Sequence, residues 1–294
     1  MKIIIKLILI LLFVSCNSSL EKWKSYDESE EISKNSSSEN QKLRYKRIQS
    51  ISTDKNKLIS GLENEIENFI KTKYDKLKPK IVEKSIPELQ QSVIDKDFSY
   101  YDLTLFYLSR IYLVEFNEEI YLNSIISINK NILEEAKSKD IKGNSDTYSV
   151  FGIPILLKDN IGYESLPTTA GAHSLQNNYT KDAYVVKKLK ENGALILGKT
   201  NLSEWANYFC SGCPNGYTAL GGQTLNPYGR KKIDTDSLII SIDLYFFEKG
   251  MLILVSETTT SSNNWFFWEK IENENNSNKY QVYFKKVFLI SQLI

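Results

Sequence analysis

The sequence predicts an α/β protein, a sheet with helices packed on it, and three observations carry that reading. Apolar residues recur at three- and four-residue steps through most of 58–116, as in helices with one buried face. A β-branched run, Ile125 to Ile128, then interrupts the helical pattern. From Phe151 onward, short apolar segments bounded by Gly and Pro alternate with helical ones, as in a sheet with helices packed on it.

The chain opens with a leader, residues 1–16. Lys2 and Lys6 precede the apolar run Leu7 to Val14, which is too short to span a bilayer and reads as an export signal. Ser15 directly before Cys16 resembles a bacterial lipobox, in which the cysteine is acylated and becomes the new N-terminus. Phe13 stands at the usual Leu position, and an ordinary cleaved signal or an uncleaved anchor are the alternatives. The lipobox reading makes the protein an exported lipoprotein of a bacterial cell envelope, held to the membrane through Cys16. Residues 17–57 are rich in Ser, Asn and mixed charge, with few apolar side chains, and are expected to form a flexible tether.

A helix is expected from Leu58 to about Leu77, with Leu62, Ile66, Phe69 and Ile70 on its apolar face. Two more follow, Ile86 to about Ile94 and Tyr101 to about Phe116, the second capped by Ser99 and facing inward through Leu105, Leu108, Ile111 and Tyr112. After the Ile125–Ile128 strand a helix ends before Gly143. Next come the strand of "GIPILLKDNI", a "TTAGA" turn, the helix of "DAYVVKKLKENGA", the strand "LILGKTN" and a helix in "LSEWANYF".

Composition excludes some functions. A formal net charge of +1, with both signs scattered evenly, offers no basic face for nucleic acid. Cys210 and Cys213 in "CSGCPNG" have the spacing of redox and zinc motifs, but no second pair follows and His173 is the only histidine. A closed site of Cys and His ligands is therefore out of reach of one chain, and the two thiols read as incidental to a loop. No metal and no cofactor are expected.

Lys158 ends an apolar run immediately before Asp159 and Asn160, where a strand passes into a loop. On that segment alone it reads as one surface lysine among many. Its company changes this: "GIPILLKDNI", "TTAGAHSL", "DAYVVKKLKENGALILGKTNLSEWA" and "NGYTALGGQTLNPYG", in that order, resemble successive blocks of the amidase signature family. "SIPELQQSV", "LSRI" and "NSIISIN" resemble its N-terminal helices and first strand, so the likeness runs from about Ile86 to Thr235. The resemblance implies a partial form of that family's fold, a mixed sheet flanked by helices, over residues 58–235, and hydrolysis of amide C–N bonds by a Ser, cis-Ser, Lys triad in which Lys158 matches the lysine.

A lysine with an ordinary pKa near 10.4 is neutral in only about one molecule in 2,500 at pH 7. To accept a proton it needs a dry site, since lowering the pKa by about three pH units requires ~4 kcal/mol of differential solvation. In the family, neutral lysine takes the proton of the cis-Ser, which takes that of the nucleophile, while loop N–H groups hold the oxyanion. The match carries Ser211, Gly212, Gly221, Gly222 and Thr224 onto the loop bordering the substrate. Asn215 and Pro227 fall in the same blocks, and Asp159, Asn160 and Asn226 are expected to support the site. Turn geometry alone is the other use for the glycines. Glu204 and Trp205 are assigned to helix and packing. The implied partner is a small amide substrate or ligand.

After Thr235 the resemblance stops. The family continues with a Gly-Gly-Ser-Ser type segment for the cis-Ser and a glycine-rich loop for the nucleophile, whereas this chain reads "DSLIISIDLYFFEKG" and then "SETTTSSNNWFFW". Ser261 and Ser262 lack the glycines that would let backbone present both a hydroxyl and oxyanion donors. Residues 151–230 hold ten of the 13 glycines, whereas residues 236–294 hold Gly250 alone and neither proline nor alanine. The expectation is a truncated, inactive family half followed by a foreign tail, as from an AT-rich gene read out of frame. Genuine divergence, with "SLIISIDLYFF" and "GMLILVSETTT" as replacement strands, is the alternative. Translating the nucleotide sequence around codon 236 in the other two frames should reveal a Gly-Gly-Ser-Ser type segment; its absence from both would leave divergence.

Overall fold

The computed structural model describes residues 19–38, 41, 44–209 and 213–225, together with the backbone of Ile253–Val255. The leader with Cys16, and Cys210, Ser211, Gly212, Asn226, Pro227, Ser261 and Ser262, lie outside the described residues. Seven α-helices are described: α1 (Ser29–Ser36), α2 (Glu63–Phe69), α3 (Asp75–Ile81), α4 (Ile86–Ile94), α5 (Tyr100–Glu115), α6 (Ile132–Lys142) and α7 (Tyr184–Glu191). The strands are β1 (Ile125–Ile128), β2 (Pro154–Lys158), β3 (Leu195–Thr200), β4 (Tyr217–Thr218), β5 (Gly222–Gln223) and β6 (Ile253–Val255).

The main sheet has the order β1-β3-β2-β6. β1 runs antiparallel to β3, while β2 pairs parallel with both β3 and β6, so the sheet is mixed. β2 is buried on both faces, which is why "PILL" reads as an unbroken apolar run. Alternation splits its side chains: Leu156 joins Leu195 and Leu197 against the layer of α2 to α6, and Ile155 and Leu157 join Ile196 against Val186 and Leu189 of α7.

α5 is the centre of the helical layer. Ser99 Oγ accepts from Asp102 N at 3.1 Å and the Asp102 carboxylate accepts from Ser99 N, a reciprocal cap that fixes where the helix starts. Leu103, Phe106, Tyr107 and Ile111 are fully buried. The helix is enclosed on more than the one face expected from its pattern, because it lies between the sheet and the α2–α3 run. That run is continuous from Glu63 to Ile81 through a π-helical turn at Ile70–Tyr74, and passes the expected end near Leu77.

Two expectations are corrected. The segment "LSEWANYF" forms only a 3₁₀ turn at Glu204–Asn207, with Trp205 (φ 49), Ala206 (φ 53) and Asn207 (φ 60) in the left-handed region. Long-range partners hold it there: Trp205 N donates to Ala170 O at 3.1 Å, and Glu204 Oε2 accepts from Ala219 N at 2.7 Å. The described part of 17–57 is no flexible tether either. Its sparse apolar residues are placed where they count: Tyr45 and Ile48 are buried with Tyr121, Leu122, Val114 and Leu225, and Trp23, Tyr26 and Ile32 pack on that cluster.

A buried ion pair locks this N-terminal segment down. Glu115 is fully buried at the end of α5, where its carboxylate accepts from Asn123 N (3.0 Å), Ser124 N (2.7 Å) and the Ser124 hydroxyl. Lys55 Nζ lies 3.0 Å from Glu115 Oε2, donates to Asn123 Oδ1 at 3.1 Å, and sits 4.4 Å and 4.2 Å from the ring centroids of Trp23 and Tyr121. Among the described residues no helix is long and apolar enough to cross a membrane. Lys55→Met leaves Glu115 without its cation, and removing one partner of a buried pair costs about 3–5 kcal/mol. A drop of that order in urea unfolding, with residues 19–58 becoming protease-sensitive, is the expected outcome.

Candidate functional site

The site is built at the C-terminal end of β2. Residues Pro154 to Leu157 are buried and Lys158 is half-buried, so the strand delivers its last side chain to the rim of the core. The parallel register sets Lys158 opposite Thr200 and Leu157 opposite Lys199. With a period of two, Lys158 shares a face with Thr200, and Lys199 points to the other face with Leu157. Among the described residues the Lys158 ammonium has no hydrogen bond or ion pair, and Thr200 Oγ1 is buried without a hydrogen-bond partner.

Asp159 turns inward. Its Oδ2 accepts from Thr169 N (3.3 Å), Gly171 N (3.2 Å) and the Thr169 hydroxyl, while Ala170 N donates to Asp159 O at 3.1 Å. One residue thereby gathers the whole "TTAGA" turn under the end of β2. Gly171 belongs there because its φ of +77 is one that side chains rarely adopt and a Cβ would come within 2.2 Å of Thr218. Asn160, next along, is exposed, as is His173, which begins the short 3₁₀ turn after the glycine.

Lys199 is the functional-looking residue that sequence reasoning passed over. It is fully buried; its ammonium donates to Ile161 O and to Thr168 Oγ1 (3.2 Å), and lies 4.0 Å from Asp159 Oδ1, which has no hydrogen-bond partner among the described residues. Burial, opposed only in part by Asp159, pulls Lys199 down to about 8. Burial likewise pushes Asp159 up to about 6 against the pull of Thr169, Lys199 and the Gly171 N–H. At 4.0 Å, with Asp159 Oδ1 unbonded, the attraction does not offset the loss of water around the two charges. A signal was present in the sequence: a strand buried on both faces gives a mid-strand lysine no route to solvent.

The expected binding residues form a second cluster. Gly221 and Gly222 flank the turn into β5, and each lies against other chain segments: a Cβ on Gly221 would meet the Asn201 side chain at 2.5 Å, and one on Gly222 the Ile48 carbonyl at 2.4 Å. Thr224 is buried, its N–H donating to Gly216 O at 2.8 Å and its hydroxyl lacking a hydrogen-bond partner among the described residues. Asn201, absent from the expected set, is the hub: its Nδ2 donates to Asn123 O (2.9 Å) and Gly222 O (3.1 Å), and its Oδ1 accepts from Thr218 Oγ1 (2.7 Å). Since Asn201 directly follows β3, it ties this hairpin to the strand beside Lys158. A cavity of about 1160 Å³ opens along β1, lined by Trp23, Lys55, Asn123 and Gly221 among others, with Lys158 outside its lining. Cys213, read as an incidental thiol, is disulfide-bonded.

Residues 102–234 match the family model described as Amidase. Over 113 residues the chain is 41% identical to the Arabidopsis thaliana "Probable amidase", spanning 36% of this chain and 22% of that protein. Over 112 residues it is 37% identical to a "Putative amidase" of Schizosaccharomyces pombe, spanning 37% and 19% respectively. The crystal structure of an amidase family protein from Bacillus anthracis superposes with a TM-score of 0.57 at 36% identity, covering 65% of this chain and 38% of that one. The chain thus spans well under half the length of each of these proteins.

The buried pair sets a pH dependence. Asp159, raised from 3.8 to about 6, favours its protonated form in the fold, so its contribution to stability grows as pH falls through 6 toward 3.8. Lys199, lowered from 10.5 to about 8, favours its neutral form, so its contribution grows as pH rises from 8 toward 10.5. The pair therefore costs most between pH 6 and 8. Urea unfolding of the Asp159→Asn/Lys199→Met double variant should show stability equal to or above the native chain at about pH 7, with the advantage shrinking at about pH 5 and pH 9.5. Lys199→Met alone should lose about 3 kcal/mol at pH 7.

Proposed function

Residues 102–234 belong to the amidase family of hydrolases, and from that membership we propose that the chain keeps the proton-accepting lysine of an amide hydrolase, at Lys158, without turning amides over. The observation that carries this reading is the asymmetry of the site. Lys158 stands at the sheet rim with its ammonium unengaged among the described residues, on the face away from the buried Asp159–Lys199 pair. Residues 236–294, where the family's serines would fall, contain one glycine. A nucleophile needs a backbone that turns tightly enough to present its hydroxyl and, beside it, the N–H donors for the oxyanion. The tail's serines have no such setting in sequence.

The role of the lysine follows from acid–base chemistry. An amine takes a proton only when neutral, and neutrality near pH 7 requires removal from water. Lys158 keeps partial exposure, so closing the site falls to groups beyond those packed on β2 and β3. A second reading is supported by β6: Ile253–Val255 pairs in parallel along Ile155–Leu157, so the tail lends a strand to the sheet beside Lys158. On that reading the site binds an amide-bearing ligand without cleaving it. Both readings keep Cys16 as the acylated anchor of an exported lipoprotein.

Purified full-length protein incubated with a simple aryl amide should release no amine above the buffer rate. Hydrolysis that disappears in Lys158→Ala would overturn inactivity, and ligand-dependent thermal stabilisation without turnover would favour the binding reading.

A further inference from the structure

We propose that Thr200 is a positioning residue for Lys158: its hydroxyl oxygen accepts one N–H of the lysine amine and holds that amine inward from the rim. This rests on the reading of Lys158 as the proton-accepting lysine of the site. Among the described residues, a buried hydroxyl with no hydrogen-bond partner stands beside an amine with none. Thr200 ends β3, every residue of which is buried, and is itself fully buried. Its place is fixed from both sides. Thr200 pairs with Ile125 of β1 and with Lys158 of β2, Asp159 N donates to Thr200 O at 3.2 Å, and Asn201 N donates to Ser124 O at 2.8 Å. A β-branched side chain on so constrained a backbone has few rotamers, so a partner must come to the hydroxyl.

The sheet around it narrows the choice. On the face of Thr200 the flanking positions are Ile125 and Lys158, with Gly198 two residues back along β3 and Leu156 two residues back along β2. Of these only Lys158 carries a polar side-chain atom. Neighbouring strands lie about 4.8 Å apart, a distance that the flexible four-carbon stem of a lysine spans. Valine has the shape of threonine and would fill this row without burying an unbonded hydroxyl, so the oxygen is what packing leaves unexplained.

A neutral amine has two N–H groups and one lone pair. An acceptor that takes one N–H fixes the direction of the lone pair, which is what must meet an incoming proton. Lys158 therefore has two positions, one at the rim with its ammonium unengaged and one against Thr200. The rim position leaves the amine open to solvent, and the inward position orients it. The balance between them is set by one oxygen on β3.

The test modifies purified full-length protein briefly with a water-soluble amine reagent at one pH and reads each lysine by peptide mass spectrometry. Lys187 on α7 is the exposed reference, and the buried Lys199 reports that the fold is intact. In the native chain Lys158 should label more slowly than Lys187. Thr200→Val should raise the Lys158 rate about threefold or more against Lys187 while Lys199 stays unmodified, the size expected for losing one hydrogen bond. Thr200→Ser keeps the oxygen and should stay within about twofold of the native rate. If valine opens Lys199 to the reagent, Thr200→Ala takes its place with the same expected rise. An unchanged Lys158 rate in the variant lacking the oxygen, with Lys199 still protected, overturns the role of Thr200 and leaves the reading of Lys158 standing. A rise of equal size in Thr200→Ser assigns the effect to packing and likewise overturns it. A native Lys158 that labels as fast as Lys187 is an ordinary surface lysine, and that result overturns the reading of Lys158 and the proposal with it.

Discussion

The carboxylate of Glu115 is the constraint on which the rest of the architecture hangs. A buried anion at the C-terminal end of a helix is unfavourable from two directions, dehydration and the helix dipole, and persists only when neighbours supply protons and positive charge. Asn123, Ser124 and Lys55 do so, and each ties in a different part of the fold. Ser124 leads into β1 and so orients the sheet against α5. Asn123 also donates to Ile48 O and Gln223 O, both at 3.0 Å, which brings in the N-terminal segment and β5. Satisfying one charge thus sets the mutual position of helix layer, sheet, strap and hairpin.

The same logic governs the rim of the sheet. Two lysines stand on adjacent strands one register step apart, and alternation past the register shift between Ile155 and Leu156 gives them opposite environments. Lys158 reaches the edge of the core, while Lys199 is enclosed among carbonyl and hydroxyl oxygens and braces the loop that leaves β2. The chemistry expected of the first depends on the backbone geometry that the second holds in place.

Much of this was legible in the sequence because the signals are local. α4 and β1 fall on the residues read for them, since a helical apolar pattern and a β-branched run announce themselves within a few positions. Lys158 was found through its neighbours and falls at the strand end expected. What escaped is non-local. The packing of residues 19–58 depends on a handful of aromatic and aliphatic side chains whose partners lie far along the chain, and composition averages them out. The left-handed turn at Trp205 is dictated by Ala170 and Ala219, which no window around "LSEWANYF" contains. Lys199 was hidden among 37 basic residues until the register showed it had no outward side.

The position of the N-terminal strap has a bearing on the order of synthesis. Residues 19–58 leave the ribosome well before the segments they pack on, yet Lys55 waits for Glu115 and Asn123, and Ser50 waits for Ala219, whose carbonyl accepts its hydroxyl at 3.0 Å. Contacts of such long sequence separation close large loops and come late in folding. A segment made early is therefore late to settle. Until it does, its aromatic residues and the underside of the β5 hairpin stay open to whatever chaperone attends the emerging chain.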